Sequence, residues 1–184
     1  PVAVYADSKF DADQMCQIRY GFENGLLPEQ VAVYADPKFN KHQMQQIRLG
    51  LEKYLTMEQI AAYADPKFEF DDDQMSEIRV GLEKGLTMEQ IAVYADPKFD
   101  SAQMWEIRAG FENGLTMEQV ADYADPKFNW NQMWKIRLGL EEKLSSVQKT
   151  QLSEEKPLSI NDRLNALEAG KKLASATAKD DIIK

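Results

Sequence analysis

Leu86 to Asp100 reads LTMEQIAVYADPKFD, and the chain repeats this phrase with small edits almost from end to end. Aligned on its tyrosine, the phrase divides the sequence into units 2–30, 31–59, 60–90, 91–119 and a last one from Val120 to about Leu144. The period is 29 residues, broken only in the third unit, which carries two extra residues, Glu69 and Phe70. Self-similarity at so short a period marks a repeat architecture, in which each unit buries its apolar face against its neighbours.

Punctuation predicts two short helices per unit. The first opens at Asp11, Asn40, Asp71, Asp100 or Asn129, with Gln14, Gln43, Gln74, Gln103 or Gln132 three residues on. That spacing is a capping box: a short acceptor side chain closes the first turn and the amide reaches back. The insertion in unit three falls before the cap and leaves the box intact. The helix is expected to stop near Gly25, Gly85 or Gly114, where only glycine takes a left-handed backbone without strain. Tyr54 and Lys143 replace that glycine in units two and five, so those ends should be less sharply terminated.

The second helix starts at Thr56, Thr87 or Thr116, again with a glutamine three residues later, and at Leu27-Pro28 in unit one. It stops before Pro37, Pro66, Pro97 or Pro126, because the residue ahead of proline avoids the helical region. Five two-helix units make an all-α chain and predict an α-solenoid. On a helical wheel Met104, Ile107 and Phe111 form the core stripe of unit four, and Gly110 flanks it where a neighbour can approach closely. All eight methionines fall at two repeat positions and read as adaptable core filler.

One arginine and one aspartate recur in every unit: Arg19, Arg48, Arg79, Arg108 and Arg137, with Asp7, Asp36, Asp65, Asp96 and Asp125. They suggest a structural ladder of ion pairs or turn-capping hydrogen bonds between units; an arginine row that binds an anion is the alternative.

Departures from the repeat are better pointers to function than the repeat itself. Positions beside the arginine edge vary most, from Ala12, Cys16 and Tyr20 through Lys41, Gln45 and Leu49 to Trp130, Trp134 and Leu138. They form a stripe, polar in the middle and aromatic at its C-terminal end. All three tryptophans, Trp105, Trp130 and Trp134, lie in it. Together with Tyr20, Leu49 and Leu138 they are the candidate binding surface, since large exposed aromatic patches mark interaction sites. The competing reading is that the chain's own tail covers them. That tail divides into a Ser, Gln and charge-rich linker, 145–157, and a segment, 158–184, with one amphipathic helix. Ser159 caps that helix, and Ile160, Leu164 and Leu167 share a face.

The charge balance narrows the partners. The whole chain holds 22 basic and 31 acidic residues, and removing the tail leaves 15 and 25 in residues 1–144. Such a surface repels phosphate backbones and anionic membranes, so neither nucleic acid nor membrane is an expected direct partner. A basic protein, or one that itself binds nucleic acid, is favoured. Cys16 is the sole cysteine, so no internal disulfide exists, and no apolar run approaches the ~20 residues a membrane span needs. With no initiator Met and no signal-peptide pattern, the chain reads as a cytoplasmic fragment of something longer.

Chemistry is scarce. His42 and Cys16 fall in different units and make neither a metal site nor a nucleophile dyad without a third group. Asp71-Asp72-Asp73 lacks calcium-loop spacing and reads as a cap with favourable charges at a helix start. No Gly-rich phosphate loop and no GxSxG element occur. The phrase GLTMEQIA resembles the turn of helix-turn-helix proteins, but no basic helix follows it. No enzyme activity, cofactor or metal is expected.

The unit YADPKF…QM..IR.G.E.GL resembles the tandem repeats of large multidomain proteins from bacterial conjugative elements and phages, over residues 1–144. The phrase EKPLSINDRLNAL, 155–167, resembles C-terminal segments of such proteins. The resemblance implies a mobile-element protein, with protein binding, DNA-transfer accessory work or counter-defence as its role, and it carries over no catalytic residue. The expected function is therefore a non-enzymatic, acidic, protein-binding repeat scaffold. The rival is a counter-defence inhibitor that mimics nucleic acid on a nuclease or restriction enzyme.

Overall fold

A computed structural model describes residues 9–154, with side chains through Ser146. All regular structure among these residues is helical. The long helices are α1 (Ala12–Glu23), α3 (Lys41–Glu52), α5 (Asp72–Glu83), α7 (Ser101–Glu112) and α9 (Trp130–Glu154). Between them run the short helices α2 (Pro28–Tyr34), α4 (Met57–Ala61), α6 (Met88–Tyr94) and α8 (Met117–Ala121), and a single 3-10 turn spans Pro66–Phe68. By internal packing the chain divides into two compact units, Pro1–Lys143 and Leu144–Lys184.

Each long helix begins as its cap residues dictate. Asp11 Oδ1 accepts from the Gln14 N–H at 2.8 Å, while Gln14 Oε1 accepts from the Asp11 N–H at 2.9 Å. The same reciprocal pair closes α3, α5, α7 and α9. Thr56, Thr87 and Thr116 build it for α4, α6 and α8. Leu27 has no acceptor, so α2 keeps only the return half, from the Leu27 N–H to Gln30 Oε1.

The glutamine at the start of a long helix also does something the local pattern conceals. Its Nε2 donates across to the next unit. Gln74 bonds the carbonyls of Phe99 and Pro97 at 2.6 and 3.3 Å, and Gln103 those of Phe128 and Pro126 at 2.6 and 3.2 Å. Gln14 does likewise with Phe39 and Pro37. One buried amide therefore caps a helix and staples two repeats. A carboxylate would keep the first role and lose the second. Gln74→Glu is accordingly expected to destabilise by about 2–4 kcal/mol, because an acceptor replaces a donor against two buried carbonyls. Urea denaturation checks this, with Gln90→Glu, at a cap without the staple, as the mild control.

Helix ends follow the glycines. Gly25, Gly85 and Gly114 take φ of 87°, 86° and 88°, and the N–H of the next leucine bonds back five residues. The expectation of a looser end at Tyr54 is corrected. Tyr54 takes φ 64°, and the Leu55 N–H still bonds the Gly50 carbonyl at 3.1 Å. The stop survives because tertiary packing of Leu55 outweighs the strain of a left-handed tyrosine. Tyr54 is 92% exposed, so its side chain adds little. Tyr54→Gly should raise stability by about 1 kcal/mol, less the entropy glycine gains in the unfolded chain, read as a higher urea midpoint.

The other replaced glycine behaves differently. With Lys143 at the stop, α9 continues to Glu154. Residues 145–154, expected to be linker, are helix, since Ser, Gln, Lys and Leu there are tolerable helix formers with no breaker among them. Residues 155–157 and the tail segment 158–184 lie outside the described residues.

The core stripe is as patterned: Met104 and Ile107 are fully buried and Phe111 nearly so. Four tyrosines complete it. Tyr34, Tyr63, Tyr94 and Tyr123 are each at most 1% exposed, and each hydroxyl donates to a main-chain carbonyl of the preceding long helix. Gly21, Gly50, Gly81 and Gly110 make the room. A Cβ on any of them would collide with the tyrosine hydroxyl.

Candidate functional site

The arginines form a ladder, but not with the aspartates. Arg48 Nε donates to Gln17 Oε1 of the preceding long helix at 3.1 Å, and its Nη1 to Glu52 at 2.5 Å. Arg79 repeats the arrangement with Gln46 and Glu83. Arg108 binds Glu77 at 2.8 Å and also Glu112; Arg137 binds Glu106 at 2.8 Å and Glu141 at 2.7 Å. Arg19, half-exposed at the N-terminal end, pairs with Glu23. The ladder thus runs through the helix faces, with one rung to the neighbour and one along the arginine's own helix.

The aspartates, expected either to pair with the arginines or to cap turns between units, cap turns within their own units. Asp36, Asp65, Asp96 and Asp125 each accept the N–H of the lysine two residues on, at 2.9–3.0 Å. They lie in the turns that lead into the long helices, whereas the arginines lie in the middle of those helices. Asp7 lies outside the described residues. The true partners had a sequence signal. Two residues before each arginine stand Gln17, Gln46, Glu77, Glu106 and finally Lys135; four after it stands always a glutamate.

Burial opposes charge on Arg108 and Arg137, but the paired carboxylates more than offset it and hold both guanidinium pKa values above the usual range. From Arg48 onward each arginine has a carboxylate on one side and a further acceptor on the other. These carboxylates already compensate the arginine charges, which weakens the anion-row alternative.

Above this ladder lies the variable stripe. Trp105, Trp130 and Trp134 are 43%, 50% and 39% exposed, and Tyr20 is 41% exposed. Leu49 and Leu138 are half-buried. Arginines of the ladder support the aromatics from below. The Arg137 guanidinium carbon sits 5.4 Å from the Trp105 ring centre, and Tyr20 lies 5.4 and 5.8 Å from those of Arg19 and Arg48. At the N-terminal end, Asp13, Cys16, Gln17, Tyr20, Lys41 and His42 line an open groove of about 310 Å³ between α1 and α3, bridged by Lys41 and Asp13 at 2.8 Å. No group of three metal-ligating side chains occurs among the described residues.

The methionines need one correction. Those of the long helices from Met44 onward are buried, but Met57 and Met117 are 52% and 41% exposed and Met88 is half-buried. At the first position of a short helix the side chain falls outside the stripe that faces α3, α5 or α7.

The described residues therefore show an all-α chain with exposed tryptophans, of which Trp105 rests on the Arg137 guanidinium. No helix among the described residues is long and apolar enough to cross a membrane. No protein-family model matches the chain, and neither a curated protein nor a solved structure matches it.

Proposed function

We propose that this chain is a non-enzymatic, acidic α-solenoid of five two-helix repeats that binds a protein partner through its first-helix stripe, within a larger mobile-element protein. The observation that carries the reading is the exposure of three tryptophans and a tyrosine along the varied face, with Trp105 resting on Arg137 and Tyr20 on Arg19 and Arg48. Rigid aromatics present a large contact area at small entropic loss. Acidity elsewhere favours a basic protein or one that handles nucleic acid. The mimic reading has less support, because Glu52, Glu83, Glu112 and Glu141 spend their charge on arginines instead of presenting it outward.

Trp130→Ala/Trp134→Ala is the informative variant, since Trp105 also stacks on Arg137 and its loss would disturb the ladder. Proteins captured from the native host by the full chain, identified by mass spectrometry, should be lost from the double variant while its helical circular dichroism is unchanged. Capture that the double variant retains, or that duplex DNA abolishes, sinks this reading; the second result restores the mimic.

A further inference from the structure

We propose that the two-residue insertion in the third unit creates a second docking groove, which takes an apolar side chain presented by a Lys/Arg-rich segment of a partner protein. In units two and four the phenylalanine of the DPKF phrase, Phe39 or Phe99, is 3–4% exposed and stands directly before the helix cap. In unit three that core place is taken by Phe70, 4% exposed and next to the cap Asp71. Phe68, the phrase's own phenylalanine, is displaced to a half-buried position with its ring centre 5.7 Å from that of Phe70. The displacement requires Glu69 to adopt φ 58°, a left-handed backbone that a glutamate enters only at a cost of about 1–2 kcal/mol. Strain kept at a repeat's one irregularity is a pointer to use.

Phe68 lines an open groove of about 220 Å³ with Ala62 at the end of α4 and Met88, Ile91, Ala92 and Ala95 of α6 and its C-terminus. The lining side chains are all apolar. Its surroundings along the chain are acidic. Glu58 lies on α4, Glu69 follows Phe68, Glu89 follows Met88 and Asp96 follows Ala95. Its basic neighbours are taken up, Lys67 by Asp65 at 2.6 Å and by the face of Phe68, and Lys98 by Asp96 at 3.5 Å. An apolar slot that includes a flexible methionine side chain, set in a stretch of chain with more carboxylates than lysines, fits a cationic amphipathic segment. The groove belongs to the short helices and their turns, so the proposal stands or falls apart from the tryptophan stripe.

The test is fluorescence anisotropy of the full chain with a fluorescein-labelled 15-residue peptide of alternating leucine and lysine pairs. A matched peptide with serine for leucine serves as the charge-only control. Expected is saturable binding of the leucine peptide, at least tenfold tighter than the serine peptide and weakened by salt. Ala92→Trp, at an exposed position, should fill the groove and remove that preference. Deleting Glu69 and Phe70 together restores the 29-residue period, returns Phe68 to the core, and should do the same. Equal binding of the two peptides, or a leucine preference that Ala92→Trp leaves intact, overturns the proposal. So does a wild-type dimer, by light scattering, that Ala92→Trp turns into a monomer, because the groove would then be covered by a second copy.

Discussion

Raising the pH from about 9 to about 11 is expected to unfold the repeats in one cooperative step, with the larger part of the tyrosinate absorbance near 295 nm, that of the buried tyrosines, appearing as helical circular dichroism is lost. The reason lies in Tyr34, Tyr63, Tyr94 and Tyr123. Burial pushes each phenol far above its ordinary range, outweighing the neighbouring arginine that favours ionisation. Each hydroxyl faces a glycine and a carbonyl, a place with no room for a solvated phenolate. The folded-state pKa is thus raised above the unfolded value, so the contribution is complete below about pH 10 and is lost as pH rises through that point. One unit above it, each tyrosine forced to stay protonated favours the unfolded chain by about 1.4 kcal/mol. Four together come to about 5–6 kcal/mol, the size of a whole domain's stability. A gradual titration with helicity intact at about pH 11.5 would show that the phenols reach water without unfolding.

Removing the last arginine of the ladder should be the most damaging single substitution. Arg137→Ala leaves Glu106, only 4% exposed at its side chain, without its cation, and an unpaired buried carboxylate of this kind costs about 3–5 kcal/mol. Loss of the Trp105 contact adds to this. Arg79→Ala makes the informative comparison, because the partner it strands across the junction is the neutral Gln46, and a lost amide bond is worth about 1–3 kcal/mol. The apolar double variant Arg137→Met/Glu106→Met should recover most of the loss, since a packed hydrophobic pair replaces an ion pair at little net change. Urea midpoints decide the order. Equal losses for Arg137→Ala and Arg79→Ala would mean that Glu106 finds another donor or takes up a proton.

The helices were legible because their determinants are local. Asp11 and Gln14, or Thr87 and Gln90, specify a helix start within four residues, and Gly85 an end within two. What depends on how one helix lies against the next was not legible. Position along the chain paired the arginines with the aspartates, whereas the register between long helices sets Arg108 against Glu77. Gln74 looked like a cap and nothing more, because its second role is met 25 residues later. The one clue in the sequence was ambiguous. Glutamine, never glutamate, stands at every long-helix cap of this acidic chain, but it stands at the short-helix caps too, where no staple forms. Reading all eight methionines as core filler also misjudged Met57 and Met117, since a five-residue helix has no full apolar face to assign them to. The aromatic stripe was legible as a pattern of exceptions, but its footing on Arg48 and Arg137 was not.

The polar links between repeats are unequal, and we expect the fold to open first where they are weakest. Between α5 and α7, and between α7 and α9, an arginine meets a carboxylate and the stapling glutamine holds two carbonyls. Between α3 and α5 the arginine meets only Gln46, and Gln43 holds the single carbonyl of Phe70 at 2.7 Å. A void of about 40 Å³ lies beside those two residues, large enough for a water molecule. Amide protons should report this as a boundary. Those of α5 and α7 would exchange only when the whole array opens, while those of α1 and α3 would exchange earlier and together, as one sub-global unit. A repeat protein written five times in nearly the same words would then be two bodies in its dynamics, divided at the place where the wording departs by two letters.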